Sequence, residues 1–120
     1  MKICVTARGN NLEADVDPRF GRCDYFIVVD PETLEFKVIE NPNAVAAGGA
    51  GIQSSQLIAS EKAEAVVTGN VGPNAYQTLS SLGIKIYVGA SGTVKEAIEA
   101  FMQGQLKLAQ DSTVPKDSGK

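Results

Sequence analysis

Alternating apolar and polar stretches divide the chain into eight short elements. "KICVT" at residues 2–6 is a β-rich run that ends in polar, glycine-bearing sequence and predicts a first strand. A long loop fills residues 10–23. "DYFIVVD" at residues 24–30 is almost continuously apolar, the pattern of a strand covered on both faces. "DPET", with Pro31 in second place, fits a type I turn. "LEFKVIE" then alternates Leu34, Phe36 and Val38 with Glu35 and Lys37, as an edge strand with one wet face does. The second and third strands are expected to pair as an antiparallel hairpin.

Helical and strand patterns alternate from there. A helix starts near Ala50 or Gly51 and runs through "IQSSQLIASEK". A buried strand covers residues 65–68. The next helix is better punctuated, with Gly72 at its cap, Pro73 in the first helical position, Ala75, Leu79 and Leu82 on one face, and Gly83 past its end. "IKIYVG" is the last strand. The final helix opens on a capping box from Thr93 to Glu96, buries Val94, Ala97, Ile98 and Phe101, and stops at Gly104.

The order β-β-β-α-β-α-β-α, with right-handed crossovers after the hairpin, predicts an α/β domain of three layers, α/β/α. Its five-stranded mixed sheet has the order 3-2-1-4-5 with strand 2 antiparallel, a ribonuclease H-like motif. The domain is expected to span residues 1–104, with residues 105–120 as a polar, flexible tail.

Composition narrows the chemistry. The chain has 120 residues, enough for one core, and is 43% hydrophobic and 21% charged, ordinary globular values. A formal charge of −3 argues against a general grip on nucleic acid or anionic membrane, which needs clustered basic residues. No apolar run approaches the ~20 residues of a membrane span, and we expect a cytoplasmic protein. There is no histidine, which removes Ser-His-Asp and Cys-His nucleophile systems, His-ligated zinc and the usual neutral-pH base. The two cysteines, Cys4 and Cys23, make no disulfide framework. Cys4 lies mid-strand and reads as a core residue. The first strand has no carboxylate, which speaks against a ribonuclease H-type two-metal nuclease.

In this topology four loops converge on one edge of the sheet, where open α/β sheets bind ligands. Three are glycine-rich and run into helix N-termini, which receive anions through free N–H groups and the positive end of the helix dipole. They nominate Gly48, Gly49, Ala50 and Gly51, then Asn70 and Gly72, then Gly89, Ser91 and Gly92. None is a phosphate fingerprint. The fourth loop carries "DPRFGRCDYF", with Arg19, Arg22 and Cys23 at the anion-prone edge. Read structurally, Phe20 plugs the core and Gly21 allows a tight turn. Read chemically, the arginines favour a Cys23 thiolate of lowered pKa, which would suit iron–sulfur or other soft-metal chemistry. One thiol cannot complete an ordinary cluster's four ligands. A guest cluster would therefore arrive preformed, with Cys23, or the pair in a homodimer, as metal ligand, and backbone N–H groups and arginine supplying the rest.

The stretches "MKICVTA", "DPRFGRCDYFIVVD", "AAGGAGIQ", "VVTGNVGPNAYQTLSSLGIKIYVG" and "TVKEAIEAFMQG" resemble the dinitrogenase iron-molybdenum cofactor-binding domain family, which includes NifX-like proteins and orange-protein relatives. The resemblance covers residues 1–104, with "RFGR" and the "TG..GPNA" loop as its most specific parts. It implies the fold inferred above and a non-catalytic role: to bind, store or deliver a metal–sulfur cluster, iron–sulfur or iron–molybdenum in type, between donor and acceptor proteins. Nitrogen-fixation members often carry histidine where this chain has Arg19 and alanine where it has Cys23. The departure favours a cluster held by thiolate, arginine and backbone N–H groups. The alternative is a regulatory module binding a nucleotide or small anion at the glycine-rich edge.

Overall fold

The computed structural model describes residues 1–42 and 50–111, apart from the Ala50 side chain. In chain order its elements are β1 (Ile3–Ala7), β2 (Tyr25–Val29), β3 (Phe36–Glu40), α1 (Ala50–Ser60), β4 (Ala65–Val67), α2 (Pro73–Ser81), β5 (Lys85–Val88), α3 (Val94–Met102) and β6 (Lys107–Leu108). β1 and β2 pair antiparallel around Cys4 and Val28, and β2 pairs with β3 in the same sense. β1, β4 and β5 run parallel, giving the order β3-β2-β1-β4-β5-β6.

Strand alternation sorts the core into two halves. Ile3, Val5, Ile27, Val29 and Val67 meet Val94, Ala97 and Ile98 of α3 on one face. Cys4, Phe26, Val66 and Ile86 meet Ile58 of α1 and Ala75 and Leu79 of α2 on the other. The expected α/β/α layering and the strand order 3-2-1-4-5 are present.

β6 extends that sheet. Leu108 pairs with Tyr87 and Lys107 with Val88, and the Ala109 N–H donates to Ile86 O at 2.8 Å. Two residues carry no readable periodicity, but they cover the open edge of β5, and Leu106 and Ala109 pack on the two core halves. Lys107 and Leu108, within the expected tail, thus belong to the sheet, while 112–120 lie outside the described residues. The hairpin also differs from expectation. Leu34 sits in the turn with φ +64, its N–H donating to Asp30 O at 2.7 Å, so the strand starts only at Phe36. α3 packs on β1 and β4, leaving Phe36 43% exposed. Leu82, expected on the buried face of α2, falls at its C-cap and is exposed.

Candidate functional site

Parallel pairing of β1, β4 and β5 puts their C-terminal ends on one rim of the sheet. The loop between β1 and β2 is tied down there by backbone and hydroxyl groups. Asp17 N–H donates to Thr6 O at 3.0 Å. Thr6 Oγ1 donates to Asp17 O at 2.6 Å and lies 2.8 Å from Thr68 Oγ1 at the end of β4. With one proton to give, the Thr6 hydroxyl accepts from Thr68, making a buried relay across β1 and β4. Asn70 N–H then donates to Pro18 O at 2.7 Å and Phe20 N–H to Asn70 O at 3.4 Å, which joins Arg19 to the β4–α2 loop. Glycine is required at position 69, since a Cβ there would sit 2.6 Å from Pro18 Cβ. Phe20 fills the core beneath, its ring centroid 5.9 Å from that of Phe26, as expected.

Beyond Phe20 the chain turns sharply, with Gly21 at φ 90 and Arg22 N–H donating to Arg19 O at 3.3 Å. Buried Asn41 closes this turn, its Nδ2 donating to Gly21 O at 3.0 Å and Cys23 O at 2.8 Å.

Arg19 and Arg22 are exposed at the rim, but Arg19 is anchored from below. Asp17, fully buried, accepts from Arg19 N–H, Nε and Nη2 at 3.0 Å each. Burial works to raise the Asp17 pKa, and the Arg19 hydrogen bonds and charge, helped by Arg8, overcome it and hold it below the ordinary carboxylate value.

Cys23 requires a correction. It is fully buried, not at the surface. Burial first, and Asp17's charge second, push its thiol up to about 12, although the backbone N–H groups of Gly21, Cys23 and Ala7 pull the other way. The expected arginine-lowered thiolate is absent because the guanidinium groups lie outside with solvent while the sulfur lies inside. Cys4 is also buried, as expected, and burial raises its pKa well above the ordinary value. Among the described residues, no three or more His, Cys, Asp or Glu side chains gather to hold a metal ion.

The glycine loops separate into two kinds. On the α1–α2 side of the sheet, a Cβ on Gly51 would lie 3.0 Å from Ala75 Cβ. That close approach sets the first turns of α1 and α2 side by side. Gly72 caps α2 without any side-chain bond, and Pro73 brings no N–H. Because Tyr76 N–H makes the first helical bond, to Gly72 O at 2.9 Å, the Asn74 and Ala75 N–H groups precede the ladder. Ser54 Oγ, buried in the second turn of α1, has no hydrogen-bond partner among the described residues. Gly48 and Gly49 lie outside those residues, and Ala50 opens α1.

On the α3 side the donors of the helix start are taken. Gly89 N–H bonds Gly69 O at 3.1 Å, Ala90 N–H bonds Thr68 O at 3.1 Å, and Gly92 O accepts from Val16 N–H at 2.8 Å. The N–H groups of Val94 and Lys95 bond Ala14 O and Leu12 O, and the capping box uses those of Thr93 and Glu96. Gly92, at φ 78, leaves room for the Glu96 carboxylate, which would lie 2.6 Å from a Cβ there. This helix end is closed by protein and carries its own anion. Gly89 is thus tied into the rim through its N–H and Gly92 through its carbonyl, on the face of the sheet opposite the α1–α2 pair. Ser91 and Gly92 instead line a shallow cleft of about 360 Å³ with Arg8, Asp15 and Pro18.

Asp17, Asn41 and the Thr6–Thr68 pair escape a reading of motifs. Asp17-Pro18 reads as a turn, and only the Asp-x-Arg spacing hints at the clamp.

The family described as dinitrogenase iron-molybdenum cofactor matches residues 1–104. The apo form of the orange protein from Desulfovibrio gigas is 40% identical, with a TM-score of 0.88 over 92% of this chain and 94% of that one. A Thermotoga protein solved by NMR is 38% identical, with a TM-score of 0.78 over 89% and 91% of the two chains. An uncharacterized protein of Methanocaldococcus jannaschii is 36% identical over 110 residues, 89% of this chain and 90% of its own.

Proposed function

The chain belongs to the dinitrogenase iron-molybdenum cofactor family, and from that premise we propose that it holds a metal–sulfur cluster as cargo and passes it on without catalysing a reaction on it. The reading is carried by the paired first turns of α1 and α2, with no side-chain cap on α2, and by the anchored Arg19 that is joined to the β4–α2 loop at Asn70. An anionic cluster suits such a place. Its sulfides accept hydrogen bonds from the N–H groups of both helices, the two dipoles favour its charge, and Arg22 offsets more of it.

Ligation through side chains fits poorly, because Cys23 is sealed and protonated and no ligand cluster stands nearby among the described residues. The cluster is accordingly held from outside, by hydrogen bonds and charge, and Cys23 supports the floor of the site. A guest held this way can leave intact to an acceptor protein, since no metal–thiolate bond has to break.

The test is anaerobic reconstitution with iron, sulfide and molybdate, followed by visible absorption and metal analysis. Wild type and Cys23→Ser should both retain a cluster, while Arg22→Ala and Gly51→Val should lose most of it. Failure of wild type to hold metal above background ends the carrier reading. Loss confined to Cys23→Ser, with the fold intact, ends the claim that the thiol is not a ligand.

A further inference from the structure

We infer that Asp17 is a positioning residue of the rim, which fixes the Arg19 guanidinium and cancels its charge, so that Arg19 offers direction to an anion rather than net attraction. The inference rests on the rim being an anion site, as proposed above. A surface arginine normally samples many rotamers and acts as a diffuse charge. Here the Nε and Nη2 edge is fastened to a fully buried carboxylate, and the Arg19 main chain is fastened to the same Asp17 Oδ1. Asp17 is held in turn through its own main chain by Thr6, which Thr68 supports. The guanidinium is thus referenced to the middle strands of the sheet.

Of the five guanidinium N–H donors, the two toward Asp17 are engaged, so the end-on fork of Nη1 and the second Nη2 hydrogen remains for a ligand. The ion pair itself is neutral. Among the charged groups around it, Arg8 adds a positive field at Asp17 and Asp24 a negative one at Arg19.

Charge and direction predict opposite signs for one substitution. Asp17→Asn keeps the shape and removes a negative charge from the rim. If Arg19 attracts by charge, the variant binds anions more tightly; if Arg19 acts by orientation, it binds them more weakly. The probe is thiosulfate, a small dianion with both sulfur and oxygen acceptors, titrated against the full-length protein and followed by amide shifts. We expect Asp17→Asn to bind about tenfold more weakly, with Arg19→Lys behaving alike because it keeps the charge and loses the fork.

A ligand-free measurement accompanies this. The Arg19 Nε–H proton should exchange with water at least about tenfold more slowly in wild type than in Asp17→Asn. Tighter thiosulfate binding by Asp17→Asn, or unchanged Nε–H exchange, overturns the inference. If wild type binds no thiosulfate while the exchange difference stands, the positioning holds and the anion-site reading fails instead.

Discussion

Whether Cys23 is chemically available decides between a ligand and a floor. Its thiol is fully buried and its pKa is pushed from the ordinary 9.0 to about 12. At about pH 8 an ordinary thiol with that starting value is roughly one-tenth thiolate, whereas one at about 12 is roughly one in ten thousand. Alkylation proceeds through the thiolate, so iodoacetamide should modify native Cys23 about a thousandfold more slowly than Cys23 in urea, before shielding by the fold is counted. Timed alkylation with peptide mass mapping separates Cys23 from Cys4, which should be at least as protected. Modification of native Cys23 within about tenfold of the unfolded rate, with Cys4 still protected, would refute the sealed thiol and restore it as a ligand. The same shift has an alkaline consequence. A folded pKa above the unfolded one contributes stability fully below about pH 9 and loses it as the pH climbs toward the folded value. About 1.4 kcal/mol should therefore be gone by about pH 10, and Cys23→Ala should remove that part of the alkaline limb.

The acid limb has the opposite sign. Asp17's folded pKa is depressed, so its stabilisation is present above about pH 4 and lost as the pH falls through the folded value; a urea midpoint series should be flatter at low pH in Asp17→Asn. Asn41→Ala leaves two buried carbonyls without their Nδ2 donor and should cost about 2–3 kcal/mol in urea denaturation. Gly69→Ala drives a methyl into Pro18 and should cost about 1–3 kcal/mol while separating the Arg19 loop from Asn70, read as loss of the Phe20 and Asn70 amide protection. Thr93→Ala should lower stability by about 1 kcal/mol and leave cluster uptake unchanged, because the Val94 and Lys95 N–H groups stay bonded to Ala14 O and Leu12 O.

Apolar periodicity together with the right-handed crossover rule settles the order of β1 to β5 and α1 to α3, the hairpin, the parallel strands and hence the rim on which the loops gather. Those are local facts: strands, caps and glycine turns are written in neighbouring residues, as in the Thr93–Glu96 box and the Gly72-Pro73 start of α2. Five stretches spread over residues 1–104, with "RFGR" and the "TG..GPNA" loop the most specific, likewise carry the resemblance to the family. β6 was not legible, since two residues have no period and only the open edge of β5 selects them. Nor was the character of the site, because it depends on burial and on partners distant in sequence. Cys23 stands next to Arg22 in the chain yet faces the opposite environment, Arg19 is governed by an aspartate whose burial no local pattern reveals, and of the helix N-termini at the rim α3 is filled by the loop carrying Leu12 and Ala14. Proximity along the chain assigns the donors, but only packing determines which of them reach solvent.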